Sequence, residues 1–221
     1  MDLLDVLFRA LHVLFGIAWI GLLYYFNFVQ TEYFKVSEPS AKSDVVQKLV
    51  PNALWYFRYA ALFTFLTGLY LIHYLSIAIN ISIILGAVMG TLMFLNVWLI
   101  IWPNQKKVIA CAPDAADAGA KAGLASRTNT LFSIPMLWFM VYSAHGSAVG
   151  NVILSVEESL TALWVGLLII LAIEANAVFG KMNVAITSVK AVIHSGIALT
   201  VILGLLAVSY THLTLPTILR V

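Results

Sequence analysis

Six apolar stretches, each about as long as a helix that crosses a bilayer, leave this chain few folds to choose from. They run from Leu4 to Phe28, Ala53 to Leu75, Ile79 to Trp102, Thr130 to Gly150, Ser159 to Val178 and Ser188 to Val208. About 20 mostly apolar residues rising 1.5 Å each suffice to cross the hydrocarbon layer. An open strand there would leave its backbone groups unpaired, so each stretch is expected to be helical. Composition points the same way: only 10% of residues are charged and 62% are hydrophobic, with a mean hydropathy of +0.98, whereas soluble domains carry about 25% charged residues. The expected fold class is therefore all-α, a polytopic transmembrane helical bundle of about six spans.

The connections differ in character. Glu32 to Val50 is polar and suits an amphipathic piece, Ser76 to Ala78 a tight turn, and Pro103 to Asn129 a long loop rich in Ala, Gly, Asp and Lys; Val152 to Glu158 and Gly180 to Thr187 are short. Ten of the twelve Lys and Arg residues lie in or beside the first, third and fifth connections, leaving Arg9 and Arg220 on the other side. By the positive-inside rule those connections are cytoplasmic and both termini face outward. No basic n-region or small-residue cleavage site precedes the first stretch, so a removable signal peptide is not expected. Residues 1–208 read as a single transmembrane domain. Residues 209–221 show no periodicity and look like translated sequencing-adapter read-through, so they are set aside as a non-native tail, His212 with them.

Several chemistries are excluded at once. The single Cys111 cannot form an intrachain disulfide, and the absence of CxxC, CxxCH and Cys/His zinc spacings rules out a covalently attached haem within this chain. The net charge of +2 and the absence of a long basic run give no reason to expect nucleic acid. The partners to consider are the lipid bilayer, a cofactor and other helices.

Ionisable groups deep in a bilayer are costly and mark a site or a buried pair. His12 on the first stretch and His145 on the fourth stand at similar depth toward the outer side, with His73 nearer the interface between Tyr70 and Tyr74. Two histidines from facing helices at one level are the usual means of holding haem b, since neutral imidazole is a good axial ligand. Gly16, one turn from His12, would let a flat macrocycle approach, and Trp19 continues that face. The plainer reading is that each histidine bonds a neighbouring helix, worth about 0.6 kcal/mol on average. An inner layer holds Arg58, Asn96, Glu174 with Asn176, and His194. There Arg58 and Glu174 read first as a neutralising pair, and second as an anion site with a proton pathway through Glu174 and His194. Gly86-x-x-x-Gly90 permits close helix approach, either inside the chain or in a homo-oligomer.

Four stretches together carry a resemblance: Leu11-His-Val-Leu-Phe-Gly-Ile-Ala-Trp-Ile-Gly21, Gly90-Thr-Leu-Met-Phe-Leu-Asn-Val-Trp-Leu-Ile-Ile-Trp-Pro-Asn-Gln-Lys-Lys107, Ser126-Arg-Thr-Asn-Thr-Leu-Phe-Ser-Ile-Pro135 and Met140-Val-Tyr-Ser-Ala-His-Gly146. Over most of residues 1–150 the chain resembles the N-terminal membrane domain of the PuuD-type urate oxidase (urate hydroxylase) family. The resemblance implies a multi-pass protein of the bacterial inner (plasma) membrane in purine catabolism, an oxidoreductase acting on urate and passing electrons to a cytochrome c domain or subunit. The family pattern points to His12, Asn96, Pro103, Gln105, Lys106, Asn129 and His145. Read from the residues, Pro103 should stop a helix, Gln105 and Lys106 should reach the interface, and Asn129 should cap the fourth span. Two other readings compete: a cofactor-free transporter or permease-like module for a small anion such as urate, with Arg58, Glu174 and His194 along its route, and an assembly subunit whose histidines only pack.

Overall fold

A computed structural model describes the backbone of residues 3–74, 79–145 and 160–214, and all of it is helical apart from short connections. The first stretch forms α1 (Leu3–Tyr24), which passes without a break through a π-helical segment (Tyr25–Gln30) into α2 (Thr31–Val36). The polar connection that follows is α3 (Pro39–Lys48), with Pro39 in its first turn, where a missing N–H costs no helical bond. Next come α4 (Val50–Tyr74), α5 (Ile81–Leu95), a second π segment (Asn96–Ile101), α6 (Trp102–Ile109), α7 (Ala115–His145), α8 (Leu160–Phe179) and α9 (Val189–Thr214). Among the described residues, four helical runs are long and apolar enough to cross a membrane: Leu3–Val36, Ile81–Ile109, Leu160–Phe179 and Val189–Leu206. The second and fourth expected spans are helical too, 25 and 31 residues long, but carry more polar side chains.

Two expectations are corrected. Pro103 does not end a helix: it sits in the first turn of α6 in a run continuous from Ile81. The widened turn of the π segment before it accommodates a ring that would clash with the carbonyl four residues back in a regular α-helix. The stretch from Pro103 to Asn129 is not a long loop either, because α6 continues to Ile109 and α7 begins at Ala115. Alanine is the strongest helix former, so an Ala-rich polar segment extends the helices rather than separating them. Lys107 closes the short turn between them by donating to Asp114 at 2.6 Å, which holds that carboxyl below its ordinary pKa. The expected turns at Ser76–Ala78 and Val152–Glu158 lie outside the described residues. The backbone of α9 stays helical to Thr214, past Ser209.

α7 is the centre of the bundle, packed by α5, α6, α8, α9, the second π segment and the end of α1, while α1 pairs chiefly with α4. Residues 127–133 of α7 are buried without interruption, so the helix is enclosed on every side over that stretch. Glycines set the closest approaches. A Cβ on Gly86 would stand 3.1 Å from Met140 Cγ, and one on Gly90 3.5 Å from Met136 Sδ. The Gly86/Gly90 face is thus covered by α7 of the same chain and not left free for a second copy. Proline cannot donate to the residue four before it, so Pro135 deprives the Leu131 carbonyl of its helical partner. Gly196 of α9 lies over that same carbonyl, where a Cβ would come within 3.1 Å of the oxygen and 2.7 Å of Ile134 Cδ1.

Replacing Gly196 with leucine should therefore destabilise the protein by about 1–3 kcal/mol through overpacking. Gly21→Ala, where nothing lies within 4 Å of the new Cβ, should be neutral or slightly stabilising. Equilibrium unfolding of both variants in mixed micelles checks this contrast.

Candidate functional site

Two polar regions stand out, one inside the bundle and one at the end where the first and third connections meet. In the first, Asn96 opens the second π segment and its amide donates to Asn129 Oδ1 at 2.9 Å and to Glu174 Oε2 at 3.1 Å. Asn129 donates onward to the Met93 carbonyl at 2.9 Å. All three side chains are buried. Asn129 is thus not a helix cap: it lies deep in α7 and ties that helix to α5 and, through Asn96, to α8.

The expected neutralising pair does not form. Glu174 takes its bond from Asn96, while Arg58 lies among aromatic rings, its guanidinium carbon 3.8 Å from the Trp102 ring centre, 4.8 Å from that of Tyr59 and 5.9 Å from that of Trp98. Stacked cation–π contacts of this kind are worth about 0.5–2 kcal/mol each. His194 is exposed on α9, and among the described residues no hydrogen bond or ion pair joins Arg58, Glu174 and His194.

His12 faces α4. Its Nδ1 lies 3.0 Å from the Thr64 carbonyl oxygen and 3.0 Å from Thr67 Oγ1. A carbonyl can only accept, so in the neutral ring Nδ1 carries the proton and Nε2 the lone pair. Gly68 makes room for the ring, since a Cβ there would be 3.1 Å from His12 Cε1. Gly16 is under no such constraint, since a Cβ there would meet only Thr64 Cγ2 at an ordinary 4.0 Å. His145 is exposed at the end of α7, with Nδ1 3.1 Å from the Val141 carbonyl of its own helix. The two helices run antiparallel, joined by Tyr24 with Ser133 at 2.9 Å and Asn27 with Ser126 at 2.8 Å. His12 and His145 each stand twelve residues beyond the Tyr24–Ser133 contact, about 18 Å along their helices. Counted from the Asn27–Ser126 contact, the same two histidines stand fifteen and nineteen residues away, so counting along the helices does not bring them to one level; among the described residues no hydrogen bond or ring contact joins them, and their surroundings differ.

The second region is a cavity of about 310 Å3 at the end of the bundle where the first and third connections meet. Both π segments contribute, Phe26, Asn27 and Gln30 from one and Ile101 from the other. A π turn carries one residue more than an α turn and so redirects side chains, which is why such turns recur at functional sites. Asn27 is buried and spends both amide hydrogens, on the Leu23 carbonyl at 2.9 Å and on Ser126 Oγ. Gln30 Oε1 is buried with no partner. On the α7 wall lies Arg127, 5% exposed, with Nη1 buried and unbonded. Among the described residues its side chain makes no hydrogen bond or ion pair, and no other charged residue lines the cavity. Gln105, singled out by the family pattern, also lines it. Sequence reasoning passed over Arg127 because it counted the residue among loop charges. The available signal was its position in Ser126-Arg-Thr-Asn-Thr, three and four residues from Leu124 and Leu131, on a face that continues into the apolar part of the helix.

If Asn96 is the shared donor, Asn96→Leu should cost about 1–3 kcal/mol by leaving the carboxyl and amide oxygens unmatched. The double variant Asn96→Leu, Glu174→Leu should recover part of that loss. A double-mutant cycle of unfolding free energies measures the coupling.

Among the described residues no group of three or more His, Cys, Asp or Glu side chains is placed to hold a metal ion. No curated protein and no solved structure matches the chain. A comparison with protein families matches residues 73–207 to the urate oxidase N-terminal family. That match covers more than half of the chain, including the Asn96–Asn129–Glu174 network, Gln105, Arg127 and the Gly86/Gly90 contact, and the chain belongs to the urate oxidase N-terminal family.

Proposed function

We propose that this chain is the membrane domain of a urate-oxidising oxidoreductase in the bacterial inner membrane, with six spans, both termini outside, and a bound haem b that connects it to a cytochrome c domain or subunit. Family membership supports urate as the substrate. The observation that carries the redox reading is the state of His12, whose Nδ1–H is tied to a main-chain carbonyl so that Nε2 keeps its lone pair. That second-sphere bond is the one that orients a ligating imidazole and raises its basicity.

The residues fit the group unequally. His12 is half-buried beside Gly68, which makes room for its ring, and would hold iron through Nε2. His145 offers the same nitrogen from an exposed position at the end of α7. A haem in this place would supply one-electron transfer. Hydroxylation of urate with water as the oxygen source releases two protons and two electrons, and one-electron carriers take the electrons in two steps. Thr64 and Thr67 fix the ring of His12, and the apolar side chains around α1 and α4 keep water from it. The Asn96–Asn129–Glu174 network holds the three central helices in register between the level of His12 and the inner cavity.

The visible spectrum of the full chain, purified after haem-supplemented expression, tests this reading. A Soret band and an α band on reduction are expected in the parent, with the low-spin signal lost in His12→Ala. A parent protein without a Soret band would contradict the redox reading, and an unchanged spectrum in His12→Ala would remove that ligand.

A further inference from the structure

We infer that the inner cavity is a binding site for a planar heterocyclic anion, with Arg127 as its charge-recognising residue and Gln30 as its acceptor. The inference rests on the urate reading above and adds to it the place and the groups of recognition. A cation sealed from water is costly unless paired. Arg127 is 5% exposed and its Nη1 has no partner. Glu32 is the carboxylate whose field reaches Arg127, yet it lies beyond ion-pair range and is bound to Lys35 at 2.7 Å. A positive charge left uncompensated in a cavity wall suits a negative ligand, and the planar guanidinium favours one that offers two coplanar acceptors.

The other walls narrow the class. Phe26, Phe34 and Phe57 bring aromatic surface to the same cavity, which suits a flat ring system and gives little to a tetrahedral oxyanion. Gln30 Oε1 is a buried acceptor without a donor, so the ligand should present an N–H as well as its negative oxygens. At about 310 Å3 the space lies at the small end of small-molecule sites, about 300–1,000 Å3, which admits a bicyclic heterocycle and not a lipid. Urate meets each condition: near neutral pH it is a flat bicyclic monoanion edged with carbonyl oxygens and ring N–H groups. Exposed Met182 and Thr187, from the connection between α8 and α9, lie at the mouth. The cavity therefore opens on the side where the basic connections cluster, and an anionic ligand would approach through a positive field.

Equilibrium dialysis of radiolabelled urate against the full chain in lipid nanodiscs tests the assignment. Saturable binding is expected in the parent, weakened about tenfold to a hundredfold in Arg127→Met, as the loss of a charge-assisted contact implies. Gln30→Glu, which places a carboxylate in the same cavity wall and removes none of the neutral packing, should weaken it as much while keeping the fold. His12→Ala should bind urate as the parent does, so loss of haem and loss of this site are read separately. The inference is overturned if the parent binds no urate, if Arg127→Met and Gln30→Glu bind it unchanged, or if inorganic phosphate displaces it at comparable concentration.

Discussion

Polar groups enclosed on every side by other helices must be satisfied from within the protein, and on α7 that constraint decides how the bundle is assembled. The seven consecutive buried residues from Arg127 to Ser133 include five polar side chains. Thr128 and Thr130 return their hydroxyls to carbonyls one turn back, Ser133 reaches the Thr130 carbonyl and pairs with Tyr24, and Asn129 bonds Met93 and Asn96. Each interhelical bond fixes a neighbour: Tyr24 fixes α1, Met93 and Asn96 fix α5 and the π segment, and Glu174 brings in α8. Gly86 and Gly196 permit α5 and α9 to come close enough for the surrounding contacts to form. Arg127 is the exception in the series, which is why its unpaired charge reads as function and not as architecture.

The π segments connect this assembly to chemistry. Each begins with or contains a buried asparagine, Asn27 in one and Asn96 in the other. In the first, Thr31 Oγ1 collects the Phe26 carbonyl at 2.7 Å and Asn27 the Leu23 carbonyl, so the altered turn is closed by its own side chains. Phe26, Asn27 and Thr31 form one wall of the cavity at that end of the bundle. His12 lies fifteen residues before Asn27 on the same run of helix, about 22 Å away along the axis. The cavity thus lies beyond the C-terminal end of α1 while His12 lies near its middle, and buried Trp19 stands between them with its indole N–H unpartnered.

Much of the fold was legible because the length of an apolar run is set by bilayer thickness, a constraint each segment meets alone. The helices of the first, third, fifth and sixth stretches follow directly. The segment from Pro103 to Asn129 was misread because charge and glycine suggested a loop, whereas alanine propensity and burial against α5 and α6 extend the helix. The placement of His12 and His145 on separate long helices could be counted from sequence. Their facing could not, since rotation about a helix axis is set by partners that only the folded chain supplies: Thr64 and Thr67 for one, Val141 for the other. Arg58 and Glu174 were paired by charge alone, and the tertiary contacts chose aromatic rings and an amide instead. Arg127 was hidden for a related reason, since a charge beside a polar connection looks solvated until the neighbouring helices close over it.

In the proposed site the Arg127 guanidinium has no ion-pair partner among the described residues, so that a ligand can supply one. Thermal unfolding of Arg127→Met, with and without urate, tests this most directly. Without ligand the expected midpoint equals or exceeds the parent's, because an unpaired buried cation has been removed; urate should raise the parent's midpoint and leave the variant's unmoved. A midpoint lowered by several degrees in the ligand-free variant, or an equal response to urate in both proteins, would contradict the claim.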